Sequence, residues 1–182
     1  MKKIFLLAIV VISVLVGGYY LYRTTLPDLV AKAVVSESLP DYIPKRIQIK
    51  IQAISVPLNK GTEAVIEEMH SSNIPMKEIL SVVDKTTEEE AYRMLDEINS
   101  TRPETTNEVF DVGKKYISAD FDVEIFRKHF NDHLSMKQVK TAINFANQNR
   151  KTHDLDFTTA KAIMKKILLE KEKEYNQKKR DQ

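Results

Sequence analysis

Nineteen consecutive residues, Ile4 to Tyr22, carry no charged side chain. A chain holding such a run must find it an apolar surrounding. As a helix the run is about 28 Å long at roughly 1.5 Å per residue, close to the roughly 30 Å hydrocarbon core of a bilayer. Lys2 and Lys3 precede it, Arg23 closes it, and Tyr19, Tyr20 and Tyr22 stand at its far end, as interfacial aromatics do. We therefore read residues 1–22 as a single transmembrane signal-anchor, with membrane contact through residues 4–22. The positive charges before it place the N-terminus in the cytoplasm and the bulk of the chain outside, in a bacterial periplasm or at a cell surface. The competing reading is a cleaved signal peptide, with a soluble factor released after Gly18. The apolar run continues beyond Gly18 to Tyr22, which suits an anchor better.

Composition narrows what the remainder can be. The 182 residues include no Cys, which excludes a disulfide scaffold, a thiolate zinc site and a thiol nucleophile. A charged fraction of 30% excludes a multi-span membrane protein, and a hydrophobic fraction of 42% excludes a fully disordered one. Residues 1–22 hold two Lys and no acid, so residues 23–182 balance at 26 basic and 26 acidic side chains. A surface built to hold nucleic acid would be basic overall; none is expected here.

Prolines divide the chain after Arg23 in two. Pro27, Pro40, Pro44 and Pro57 crowd into residues 23–60, whereas residues 61–182 contain only Pro75 and Pro103. Residues 23–60 read as a neck: a short helix entered at Pro27, then one short β segment over 46–56. There Ile47, Ile49 and Ile51 alternate with Gln48, Lys50 and Gln52, the period of a half-buried strand. Its only weak partner is Lys115 to Val123. A bare strand edge invites pairing, so Ile47, Ile49 and Ile51 become a candidate contact surface for a protein partner or a second copy.

Residues 61–182 read as an all-helical domain of about six to seven helices. From Thr62 onward the only Gly is Gly113, too few for a meander of β-turns. Apolar residues recur at helical spacing: Val65, Ile66 and Met69; Ile79, Leu80 and Val83; Ala91, Met94, Leu95 and Ile98; Val109, Phe110 and Val112; Ile125, Phe126 and Phe130; Val139, Ala142, Ile143 and Ala146; Ala162, Ile163, Ile167 and Leu168. Thr87 to Glu90 and Ser135 to Gln138 are capping boxes. Aligning Thr87 with Ser135 pairs Leu95 with Ile143 and Asn99 with Asn147, a faint repeat that generic helical hairpins would also give.

Few residues carry chemistry. His129 and His133, spaced i, i+4, share one helix face and are weak candidates for a metal. Phe130 stands where a metalloprotease would hold its general-base Glu, and Asp132 replaces Glu in the reversed motif. A third ligand beside the pair is what an enzyme reading would need. Asp120, Asp122 and Glu124 mimic the start of a calcium loop, but Ile125 occupies the turn position that requires Gly, so helix capping explains Asp122 better. There is no Gly-rich phosphate loop and no nucleophile elbow. Residues 161–182 hold eight basic and four acidic side chains and end in Lys178, Lys179 and Arg180, a basic tip suited to anionic lipid or an acidic partner. The reading is a mainly α, membrane-anchored extracytoplasmic binding or accessory module, with no cofactor and no evident small-molecule substrate. The alternative is a metal-assisted hydrolase using His129 and His133.

Overall fold

The computed structural model describes residues 31, 34, 45–116, 122–152 and 156–181, with residues 45–53 described by their backbone. Among these residues it is all-helical, with seven α-helices and no strand. In chain order they are α1 (Lys45–Ser71), α2 (Met76–Lys85), α3 (Glu88–Thr101), α4 (Thr106–Gly113), α5 (Arg127–His133), α6 (Met136–Thr152) and α7 (Phe157–Arg180). Two 3-10 turns, Lys114–Tyr116 and Val123–Phe126, flank the segment between α4 and α5. No helix among the described residues is long and apolar enough to cross a membrane; the expected anchor, residues 1–22, lies outside them.

The 27-residue α1 is the hub, touching α5, α6, α7 and the second 3-10 turn. Ile54, Leu58, Val65 and Met69 lie on its buried side, each at most 2% exposed. Ala31 and Val34 join the same core. α1 also corrects the sequence reading. The β segment expected over 46–56 is helix, and the boundary drawn between residues 60 and 61 falls inside α1. Of the segment proposed as its partner, Lys115 and Val123 belong to 3-10 turns, and residues 117–121 lie outside the described ones. Three alternating isoleucines are too short a sample to fix a period. Once residues 54–71 are helical, extending the helix backward adds one hydrogen bond per residue without a new nucleus. Pro57, read as a neck residue, sits buried within α1. An interior proline costs about 3 kcal/mol, which the apolar residues packed around it must offset.

The helix boundaries after α1 obey local signals. Asn73 (φ 52°) turns the chain out of α1. The Thr87 capping box is closed both ways, with Glu90 N–H donating to Thr87 Oγ1 (3.2 Å) and Thr87 N–H to Glu90 Oε2 (3.0 Å). Ser135 and Gln138 repeat this at 2.8 and 3.4 Å. Asp156 caps α7 by accepting from Thr159 N–H at 2.9 Å. From α7, Lys161 donates to the carbonyls of Asp84 and Thr86 at 2.7 and 2.8 Å, placing a cation on the carbonyl end of α2, where the helix dipole favours it.

The faint repeat gains support from these boundaries. At an offset of 48 residues, α2 and α5 end in register (Lys85, His133) and α3 and α6 begin in register (Glu88, Met136). Buried positions coincide: Val82 with Phe130, Ala91 with Val139, Met94 with Ala142, Leu95 with Ile143, Ile98 with Ala146. Equivalent residues also meet. Asn99 Nδ2 donates to Asn147 Oδ1 (2.8 Å) and Asn147 Nδ2 to Asn99 Oδ1 (2.9 Å).

Candidate metal centre

α5 is a short helix fixed from several sides. Phe130 is fully buried and packs against Phe110 of α4, with ring centroids 5.6 Å apart. Arg127 lies 4.4 Å over the Phe110 ring and donates to Asp111 (2.7 Å) and to both oxygens of Glu124 (2.7 and 2.9 Å). Asn131 Nδ2 donates to Asn107 Oδ1 at 2.7 Å. The Arg127 guanidinium, with help from Lys114, holds the Glu124 carboxyl down at about 2. Asp122 caps the preceding 3-10 turn, accepting from Glu124 N–H at 3.3 Å, as the capping reading of this acidic string expects.

With Phe130 pointing into the core, His129 and His133 stand beside it on the flank turned to α1, their rings 6.1 Å apart. There α1 supplies what the sequence lacked locally. Glu67 Oε2 lies 2.9 Å from His133 Nε2 and 3.3 Å from His129 Nδ1. Ligand atoms of Glu67, His129 and His133 all fall within 4.8 Å of one another. On the opposite side of the His129 ring, Nε2 lies 3.2 Å from Glu68 Oε2. Glu68 is 8% exposed, and its other oxygen accepts from Ser72 Oγ.

This geometry suits a small divalent ion. Zinc binds imidazole nitrogen and carboxylate oxygen at about 2.0–2.2 Å in a tetrahedral shell, so adjacent ligand atoms should stand about 3.3 Å apart. The Glu67–His129 separation already does, the Glu67–His133 separation needs a few tenths of an ångström of opening, and the two imidazole nitrogens, within 4.8 Å of each other, would have to close by up to about 1.5 Å on the ion. A carboxylate on the far nitrogen of a ligating imidazole is the usual arrangement around such ions, because it fixes the tautomer and raises ligand basicity. Glu68 is placed to do this for His129. Asp132, which stands where the reversed motif holds its Glu, is tied to Lys128 at 2.7 Å, and that ammonium keeps its carboxyl below the ordinary aspartate range.

The other sequence candidates lie elsewhere. Ile47, Ile49 and Ile51 belong to the first turns of α1, where the backbone is committed to the helix and offers no strand edge. Ile51 is about 24 Å from Glu67 along the axis at roughly 1.5 Å per residue. Lys178 and Lys179, in the last turn of α7, come closer. They line a cleft of about 360 Å³ together with Glu63, Glu67, Lys171 and Tyr175, so Glu67 is shared between cleft and cluster. Arg180 donates to the Asn176 carbonyl at 3.2 Å within its own helix.

Glu67 and Glu68 were missed because they lie more than sixty residues from the histidines in sequence. A signal existed: Glu68 follows Leu58, Gly61 and Val65 at core spacing, and an acid in that phase needs a partner. No protein-family model, no curated protein and no solved structure matches this chain.

Proposed function

We propose that this chain is a membrane-anchored, extracytoplasmic helical module that binds a zinc-type divalent ion through Glu67, His129 and His133, and that it works by binding a protein partner. Residues 4–22 form the anchor. The ion ties α1, the hub of the module, to α5. The observation that supports this reading is the Glu67 carboxylate, which stands within 3.3 Å of both imidazoles. Imidazole nitrogens with one carboxylate favour zinc over the all-oxygen preference of magnesium and calcium.

Titration calorimetry on the purified protein tests it. One zinc should bind per chain. Glu67→Gln or His133→Ala should weaken binding by about a hundredfold, near 2.7 kcal/mol. Unchanged binding in both variants would remove the reading.

A hydrolase is the second reading, and one observation favours it: Glu67 is 41% exposed, so a fourth ligand position has access to water. The acids beside the cluster are engaged, Glu68 by Ser72 and His129, and Asp132 by Lys128. A metal-bound water would then lack a general base among these two, so binding is the stronger reading.

A further inference from the structure

Lys171 is the one buried cation among the described residues, 7% exposed in the lining of the cleft between α1 and α7. Its ammonium has three donors and makes one hydrogen bond among the described residues, to Glu174 Oε2 at 3.1 Å. A buried charge with donors to spare needs further partners. Two more cations of α7 line the same cleft. Lys178 and Lys179 follow Lys171 by two helical turns, so the three share a face. Neither is paired with a carboxylate among the described residues. The acids of the lining are engaged: Glu63 by Lys60 at 2.9 Å, Glu174 by Lys171, and Glu67 by the two imidazoles. Three lysines thus balance three glutamates, and a divalent ion on Glu67 leaves the cleft two positive charges in excess. Tyr175, stacked on His70 with ring centroids 4.2 Å apart, makes one wall.

We propose that this cleft binds a phosphate monoester, with the zinc-type ion and Lys171 holding the phosphoryl oxygens and Lys178 and Lys179 beside them. The proposal rests on the ion-binding reading above, because Glu67 belongs to both sites and its ion is what turns the cleft positive. The donors select the ligand. A phosphate monoester carries about two negative charges near neutral pH and three terminal oxygens, enough for the ion, the buried ammonium and the exposed pair. A carboxylate offers two oxygens in one plane, the arrangement an Arg fork matches, and no Arg lines the cleft. Lysine meets phosphate as a point charge. Ion and phosphate then bind cooperatively, each strengthening the other by the same factor.

The test uses the full chain in detergent micelles, with phenyl phosphate as probe and benzenesulfonate and benzoate as ring-matched controls. Calorimetry first measures zinc alone, and phenyl phosphate is then titrated into the apo and zinc-loaded protein. Zinc should tighten phenyl phosphate at least about tenfold, and phenyl phosphate should bind at least about tenfold more tightly than either control, as charge-assisted hydrogen bonds require. Lys171→Met at saturating zinc should cost a similar factor. The exposed pair Lys178→Gln, Lys179→Gln leaves the core untouched and should weaken the probe several-fold, more so at low salt. One zinc per chain with no gain in phenyl phosphate affinity, or benzoate binding as tightly, overturns this proposal and leaves the ion reading standing; absence of zinc binding overturns both. Probe affinity unmoved in both lysine variants overturns it as well. Two competitors separate the sources of the group, and displacement by either supports the proposal: glycerol 3-phosphate marks a soluble ligand, and vesicles holding phosphatidate mark a lipid headgroup. Displacement by vesicles of phosphatidylcholine alone, a diester, would overturn it in favour of a membrane-surface contact.

Discussion

His129 carries a carboxylate at each ring nitrogen, Glu67 at Nδ1 and Glu68 at Nε2. The two acids play different parts. Glu67 would supply a ligand atom to the proposed ion, whereas Glu68 is placed to orient the ring and is itself held by Ser72. Outer partners of this kind are worth about 10–100-fold in metal affinity. Glu68→Gln should therefore weaken zinc binding within that range and leave the stoichiometry at one, as measured by competition with a chromogenic chelator. Complete loss of the ion would make Glu68 a ligand in its own right. A second residue-scale expectation concerns acid. Arg127 and Lys114 lower the Glu124 carboxyl from its ordinary 4.5 to about 2. Its contribution to stability is present in full above about pH 4.5 and is lost as pH falls toward 2. Because Glu124 is 45% exposed, solvent screens the contribution. Urea midpoints followed from pH 6 to 2 should fall less steeply in Glu124→Gln than in the unaltered protein. Parallel curves would show that the Arg127 pair contributes nothing to the fold.

At the scale of elements, the sequence was most legible where a helix boundary is written into adjacent residues. Both capping boxes form as expected, and Asp156 starts α7. Their contribution is measurable. Thr87→Ala and Ser135→Ala should each cost about 1 kcal/mol, by similar amounts because they sit at equivalent positions of the repeat. Chemical denaturation of the two variants checks this, and a loss in only one would break the equivalence. The sequence was least legible in α1. The period of two at Ile47, Ile49 and Ile51 pointed to a strand, and the crowding of prolines pointed to a neck. Neither local pattern reports how far a helix nucleated after Ile54 will propagate toward its N-terminus. The metal cluster was half legible for a related reason. The i, i+4 histidines share one helix and could be read from spacing, whereas Glu67 meets them only because α1 crosses α5.

At the scale of the molecule, the proposed anchor would divide the chain between two solvents, with the helical module in water. The basic residues before Ile4 and the tyrosines before Arg23 argue for an uncleaved anchor with the module outside. Protease added to intact cells, or to spheroplasts where there is an outer membrane, should digest residues 61–182. Full protection would reverse the orientation, and a mature N-terminus at Tyr19 would show a cleaved signal peptide instead. Within the module, α1 organises both the core and the candidate site, since it packs on α5, α6 and α7 and carries Glu67 and Glu68. An ion bound there joins the hub to the short helix held by Arg127, so site and fold depend on the same crossing. The most direct test is X-ray absorption at the zinc edge on protein loaded with one equivalent. The account expects a four-coordinate shell of nitrogen and oxygen at about 2.0–2.1 Å, with imidazole scattering that disappears in the His129→Ala, His133→Ala double variant. An all-oxygen, six-coordinate shell that the double variant leaves unchanged would contradict it.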